Sequence, residues 1–221
     1  MVRADEFFAG IRQGKRDDVR AALARDPALL RSRDENGLSP ILVALYWHEP
    51  DLAQDLLARG PELDVFEAAA AGVVDRVREL LDAEQSLANA FAPDGFTPLG
   101  LAAFFKRREV VALLLRRGAD PNAVARHPFQ VAPIHSAVAD GTDVEIVRQL
   151  VEAGADVNVR QRHGWTPLHG AAHEGDVELV AYFLDHGADA AATEDKGRTA
   201  LDMARERGHE RVAELLRARG G

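Results

Sequence analysis

The chain lacks cysteine, which excludes disulfide bonds and thiolate-bound metal sites. It also lacks any apolar run near the roughly 20 residues that a helix needs to cross a bilayer. Residues 1–8 contain acids and no apolar segment of the kind found in secretory signals. We therefore predict a cytoplasmic protein that does not associate with membranes.

Positive charge is also scarce, because 27 lysines and arginines face 36 acids and leave a net charge of −9. A nucleic-acid-binding protein normally needs a basic face against the phosphates, so we predict no nucleic-acid partner. Lysine occurs only at Lys15, Lys106 and Lys196, and the other basic residues are arginines. Together with the abundant alanine, this bias indicates a GC-rich prokaryotic coding sequence.

Signals of catalysis are missing as well. No glycine-rich loop follows a strand-like segment, and no serine lies in the strand–turn–helix context of a nucleophile. The acids are spread along helix-like stretches in the pattern of solvated surfaces. We therefore predict that the protein is not an enzyme and binds no cofactor.

In place of these signals, a short motif recurs along the chain. Its clearest copy runs through Trp165, Thr166, Pro167, Leu168 and His169, followed by Gly-Ala-Ala. Related copies lie at residues 39–42, 96–103, 132–135 and 199–202. A pattern that returns every 33 to 35 residues indicates a stack of small units, each in contact with its neighbours.

These copies resemble the ankyrin repeat, in which Thr-Pro-Leu-His opens a first helix and Gly-Ala-Asp follows a second helix. Residues 118–122, 154–158 and 187–189 match the second of these elements. In this motif, threonine caps free N–H groups of the first helix, and proline fits its first turn. The resemblance implies an all-α solenoid of antiparallel helix pairs joined by β-turn or hairpin fingers.

The Thr-Pro register divides residues 1–221 into about seven units of one domain. The unit boundaries are approximately 3–37, 38–61, 62–95, 96–130, 131–164, 165–197 and 198–221, the first and last being polar caps. The anchors Pro40 and Asp64 are only 24 residues apart, so we predict that the finger between units two and three is missing. Residues 123–131, in contrast, are predicted to form an enlarged finger.

The resemblance also implies that a partner contacts the fingertips and the concave face of the first helices. One slot before Thr-Pro and two slots after Ala-Ala supply most of these contacts in each unit. The residues assigned to partner binding on this basis, including fingertip and neighbouring positions, are Tyr46, Trp47, Phe96, Phe104, Phe105, Arg107, Arg108, His127, Phe129, Trp165 and His173. Aromatic residues and arginine are typical of interaction hot spots.

Two interpretations of the aromatic pairs stay open. The pairs in units two and four flank a unit whose corresponding slots hold only Ala70 and Ala71. They could form an exposed patch for a partner or a second copy, beside a groove that the missing finger leaves more open. Alternatively, the same rings could fold over the gap and fill it as local core.

A histidine trio offers the best candidate metal site. His169 and His173 are four residues apart on a helix and share a face, and His163 precedes them. The resemblance instead implies that His169 hydrogen-bonds neighbouring backbone within the stack, so we predict no bound metal. The sequence thus predicts a non-catalytic protein–protein interaction module that displays a concave surface. The alternatives are a self-associating scaffold, forming a weak homo-oligomer, and a regulatory protein that binds a metal or small ligand.

Overall fold

The computed structural model describes residues 3–139, 141 and 143–220, and within them helices follow one another in antiparallel pairs. The helices are α1 (Ala4–Arg12), α2 (Arg16–Arg25), α3 (Pro40–Tyr46), α4 (Pro50–Leu57), α5 (Val65–Ala71), α6 (Val74–Ala83), α7 (Pro98–Phe104), α8 (Arg108–Arg116), α9 (Pro133–Val138), α10 (Val144–Glu152), α11 (Pro167–Glu174), α12 (Val177–Asp185), α13 (Ala200–Glu206) and α14 (Glu210–Gly220). Short 3-10 turns lie at Pro27–Arg31, Gln85–Asn89 and Arg162–Gly164. This arrangement confirms the all-α solenoid.

In units two, three, four and seven, the first helix begins at a residue whose side chain accepts from its free N–H groups. Thr97 Oγ1, for example, accepts a hydrogen bond of 3.0 Å from Gly100 N. Unit three lacks Thr-Pro and uses a reciprocal capping box instead. There Asp64 Oδ1 accepts from Glu67 N at 2.8 Å, and Glu67 Oε2 accepts from Asp64 N at 2.9 Å. Burial raises the pKa of the Asp64 carboxyl above its usual value.

The core runs the length of the stack as a continuous layer. First helices contact one another in a row from α1 to α13, and each also packs on the second helix of its own unit. Buried alanines such as Ala70, Ala103 and Ala172 line this row and allow close helix contact. No helix among the described residues has the length and apolar character that crossing a membrane requires.

A backbone hydrogen bond closes each finger at its base. Four fingers share one spacing: Asp34 N to Leu38 O, Ala92 N to Phe96 O, Gln161 N to Trp165 O and Glu194 N to Arg198 O. In the remaining finger, which follows unit four, the corresponding bond joins Ala125 N to Val131 O at 2.8 Å. This bond encloses a longer loop than the others do, which confirms the enlarged finger. We number the fingers by the unit that precedes them, so this is finger four.

The finger between units two and three is absent, as predicted. Residues 58–64 run directly from α4 to α5. Finger three lies against finger one across the gap, since a Cβ added at Gly37 would be 3.1 Å from Cβ of Pro93. The gap is therefore narrowed by finger three instead of being left open.

Asparagines bind units three, four and five each to the unit that follows. Asn122 Oδ1 accepts from Asp156 N at 2.8 Å, and its Nδ2 donates to Gly154 O at 2.9 Å. Asn89 and Asn158 make the same pair of contacts with their own following units. These bonds satisfy backbone groups at the second-helix ends and join neighbouring units.

Candidate functional site

The aromatic residues of units two and four meet across the small residues of unit three. The Tyr46 ring centroid lies 6.1 Å from that of Phe104 and 5.2 Å from that of Phe105. The three rings are half-buried, and Ala70 of the intervening unit is fully buried. Tyr46 and Phe105 pack against the core, so these two side chains take part in local packing.

The hydroxyl of Tyr46 has an intrachain partner. It donates a hydrogen bond of 3.0 Å to Asp94 Oδ2 in finger three. Burial, followed by the nearby Asp94 carboxylate, raises the pKa of the Tyr46 phenol above its usual value. Tyr46 therefore joins unit two to the finger that closes the gap.

Trp47 lies at the surface beside unit one. Its side chain is 42% exposed, and the guanidinium carbon of Arg12 lies 5.2 Å from its ring centroid. Arg12 in turn donates to Asp34 Oδ2 at 2.6 Å. Trp47 is thus available to a partner at one end of the aromatic row.

Arg107 and Arg108 both link neighbouring units within the chain. Arg107 Nε donates to Ala70 O at 2.8 Å, and burial lowers the pKa of its guanidinium. Arg108 Nε donates to Asp143 Oδ2 at 2.7 Å, and this hydrogen bond raises the Arg108 pKa. Arg107 is committed to the stack, whereas the exposed Arg108 is held at its edge.

An apolar groove with a volume of about 560 Å³ lies over units four to six. Its walls include the aromatic residues Phe96, Phe104, Phe129 and Trp165. The floor is formed by small or short side chains, among them Val138, Ala139 and Gly170. A Cβ added at Gly170 would lie 2.9 Å from Cγ1 of Val138, so the floor is closely packed.

The enlarged finger four supplies one wall of this groove. The His127 ring lies between Phe96 and Phe129, with centroid distances of 5.2 and 5.1 Å. Phe129 is 57% exposed, and its carbonyl accepts from Arg162 N at 2.9 Å. The finger is therefore fixed against its neighbour while it presents an apolar ring to solvent.

Trp165 forms the opposite wall, and His173 supports it. The His173 centroid lies 5.6 Å from the Trp165 ring. Its Nδ1 is 3.0 Å from Glu174 Oε1, and its Nε2 contacts the guanidinium of Arg207. Because arginine only donates, Nε2 accepts and the hydrogen lies on Nδ1, directed at Glu174.

His135 connects the floor of the groove to the same wall. Its Nδ1 accepts from Ala132 N at 3.2 Å, and its Nε2 donates to Trp165 O at 3.3 Å. Burial lowers the pKa of His135 to about 4, so the ring is neutral at pH 7. This neutral form is the one that can accept at one nitrogen and donate at the other.

The histidine trio is divided between different contacts. His169 Nδ1 accepts from Thr166 N, and its Nε2 pairs with Arg198 O at 3.2 Å. This confirms the predicted hydrogen bonding of His169 to backbone, and burial lowers its pKa. His163 Nδ1 lies 3.4 Å from Asp195 Oδ2. Within the described ranges, no three histidine, cysteine or acidic side chains are grouped as metal ligands.

Sequence reasoning missed the groove because its depth comes from residues that are small. Ala139 occupies a partner slot between the larger residues of units four and six. This contrast in side-chain size along the row is the sequence signal that could indicate a cavity. Gln161 and Arg162, which also line the groove, were not singled out either. Asp140, the second residue of this slot pair, lies outside the described residues.

Comparison with known families agrees with the repeat organisation. A family model described as ankyrin repeats (3 copies) matches residues 134–221, and one described as ankyrin repeat matches residues 94–126. Together these matches cover most of units four to six and leave residues 127–133 of the enlarged finger outside.

Curated relatives contain similar repeats within longer proteins. The chain is 32% identical over 166 residues to E3 ubiquitin-protein ligase XB3 of Oryza sativa subsp. japonica, covering 52% of this chain and 36% of that protein. It is 47% identical over 49 residues to human protein phosphatase 1 regulatory subunit 27, covering 22% of this chain and 31% of that protein. Putative ankyrin repeat protein L371 of Acanthamoeba polyphaga mimivirus is 28% identical over 165 residues, covering 68% of this chain and 21% of that protein. The aligned segments thus span about a third or less of these relatives.

Proposed function

Because the chain belongs to the ankyrin repeat family, we propose that it is a non-catalytic module that binds another protein in the groove over units four to six. The observation that carries this proposal is an apolar groove in which Phe96, Phe104 and Trp165 lie in the slots that partners of ankyrin repeats contact. Large exposed apolar surfaces on a folded chain are typical of interaction sites. Phe129, at 57% exposure, is the clearest case.

The mechanism we infer is rigid display. The walls are held before any partner arrives, by the His127 contacts on one side and by the His135 bond to the Trp165 carbonyl on the other. Side chains that are already ordered lose little conformational entropy on binding. The partner's apolar side chain would then gain the burial energy of the groove with little ordering cost.

The names of the relatives give partial support to a non-catalytic role. One is a phosphatase regulatory subunit, whereas another is a ubiquitin ligase, and in both proteins similar repeats form only part of the chain. These names describe those proteins, and for this chain they support an adaptor role with a partner still to be identified.

A variant that fills the groove tests the proposal. Ala139→Trp places a bulky ring on the groove floor, and Ala153→Trp places the same ring at the exposed end of α10 as a matched control. Tagged wild-type and variant proteins would be used to capture partners from a lysate of the source organism, followed by mass spectrometry. We expect Ala153→Trp to retain the wild-type partner and Ala139→Trp to lose it.

Retention of the same partner by Ala139→Trp would refute the groove as the binding site. Light scattering across a range of protein concentrations separates the scaffold alternative. A dimer that Ala139→Trp dissociates would make a second copy of the chain the ligand, whereas a monomer at all concentrations leaves a different protein as the partner.

A further inference from the structure

The fourth and fifth fingers differ in charge from the other fingers. Residues 123–131 and 159–165 contain no carboxylate, and they carry Arg126, His127, Arg160, Arg162 and His163. Acids do occur in the other three fingers, at Asp34, Glu35, Asp94, Glu194 and Asp195. In a chain whose net charge is −9, two adjacent fingers whose ionisable side chains are all basic create a local region of positive potential.

The arginines of these two fingers make no ion pair with the part of the chain that the structure describes. Arg126 lies over the Phe91 ring at 3.9 Å, and Arg160 Nη1 donates to the Thr193 carbonyl at 2.9 Å. Arg162 is exposed. On the acid-bearing fingers, by comparison, Arg33 pairs with Glu67 and Arg198 with Glu194.

These basic fingertips border the apolar groove. Arg162 and His163 line it directly, and the backbone of Arg162 holds Phe129 in place. Glu174, the carboxylate among the described lining residues, already contacts His173 at 3.0 Å. A ligand whose apolar side chain enters the groove would therefore extend its neighbouring residues over arginines without carboxylate partners.

We propose that the occupant of the groove is an acidic peptide segment of the partner. An aliphatic or aromatic side chain enters between Phe104, Phe129 and Trp165, and flanking carboxylates pair with Arg162 and Arg126. This inference rests on the proposed function and adds the chemical class of the partner. Nucleic acid is disfavoured because its phosphates would run past the acids of fingers three and six.

A random peptide library displayed on phage and selected on the full-length chain tests this inference. We expect the enriched peptides to combine glutamate or aspartate with a bulky apolar residue, and their affinity to fall as salt is added. Enrichment of basic or uncharged peptides, or no enrichment, would overturn the proposal. Labelled single-stranded DNA serves as a second probe, and binding that Arg162→Glu abolishes would transfer the site to nucleic acid.

Charge-reversal variants then locate the contact. The double variant Arg126→Glu/Arg162→Glu should weaken a selected acidic peptide by about tenfold or more, because it replaces attraction with repulsion. The matched control Arg25→Glu/Arg116→Glu changes the same charge at exposed second-helix ends and should bind within about twofold of wild type. Thermal melts confirm that both variants fold.

The variants also separate this inference from the proposed function. If Ala139→Trp abolishes peptide binding but Arg126→Glu/Arg162→Glu leaves it unchanged, the groove is the site and its acidic specificity is refuted. If Ala139→Trp has no effect on bound peptide, both proposals fail together.

Discussion

The Tyr46 hydroxyl donates a 3.0 Å hydrogen bond to the Asp94 carboxylate across the position of the missing finger. Asp94 Oδ1 also accepts from Phe96 N at 3.2 Å, within the same finger. Finger three therefore takes over the contact to unit two that an intervening finger would otherwise make. Tyr46, although it lies in a partner slot, thus links two units of the chain.

Tyr46→Phe removes this hydrogen bond and keeps the aromatic ring. We expect the free energy of unfolding to fall by about 1–2 kcal/mol, since a half-buried hydrogen bond to a carboxylate is lost. Urea titration followed by circular dichroism measures the change. Tyr182→Phe is the matched control, because no hydrogen bond of the Tyr182 hydroxyl to the described residues is present, and it should change stability by less than about 0.5 kcal/mol.

The neighbouring phenylalanines should separate packing from binding. Phe105 packs against the core, whereas Phe104 lines the groove. We expect Phe105→Ala to lower the unfolding free energy by about 3 kcal/mol and Phe104→Ala by about 1 kcal/mol. Only Phe104→Ala should weaken partner binding while the protein stays folded. Equal losses of stability in the two variants would show that both rings are core.

Gly95 allows finger four to approach finger three. Its φ is +87°, and a Cβ there would lie 2.6 Å from the carbonyl carbon of Arg126. We expect Gly95→Ala to lower the unfolding free energy by about 3 kcal/mol. The alanine would be strained in the left-handed conformation, and the Arg126 backbone would also have to move away from its Cβ. Gly118 also has a left-handed backbone conformation, but a Cβ there would have no atom within 4 Å. Gly118→Ala should therefore lower the unfolding free energy by only about 1 kcal/mol.

His135 should make stability depend on pH. Its pKa is about 4 in the folded chain and about 6.5 when unfolded, so the unfolded chain binds the additional proton between these values. Stability contributed by the neutral ring is present above pH 6.5 and is lost as the pH falls toward 4. Between pH 7 and pH 5, the loss from this residue is about 2 kcal/mol.

A comparison with His135→Gln isolates this contribution. Glutamine can accept from the Ala132 N–H at the same helix position but does not titrate. Unfolding titrations at pH 7 and pH 5 should show a smaller pH-dependent loss in the variant than in wild type. Identical losses of stability in the two proteins would show that His135 is not the source of the pH dependence.

The repeat pattern predicted the fold because its signals are local. Thr-Pro, Ala-Ala and Gly-Ala-Asp specify caps, close helix contact and turns within single units, so the irregular spacing at Asp64 directly revealed the missing finger. The fate of side chains between units was less accessible. The position of Arg107 and Arg108 next to the Phe104–Phe105 pair predicts contacts with a partner. In the structure, each donates a hydrogen bond to another unit of the same chain.

The groove was unpredictable for a related reason. It arises where Ala139 and Gly170 leave space between larger neighbours, and this requires the lateral alignment of three units. The basic character of fingers four and five was visible in the sequence. Its relation to the groove depends on the position of Arg162 at the rim, which the folded stack alone provides.

Tryptophan fluorescence tests the central claim most directly, since Trp47 lies beside unit one and Trp165 forms a groove wall. With Trp47→Phe, Trp165 becomes the sole tryptophan, and with Trp165→Phe, only Trp47 reports. Titration with a captured partner or selected peptide should shift the emission of Trp165 and leave that of Trp47 unchanged. A response from Trp47 alone would place the partner at the other end of the stack and contradict the account.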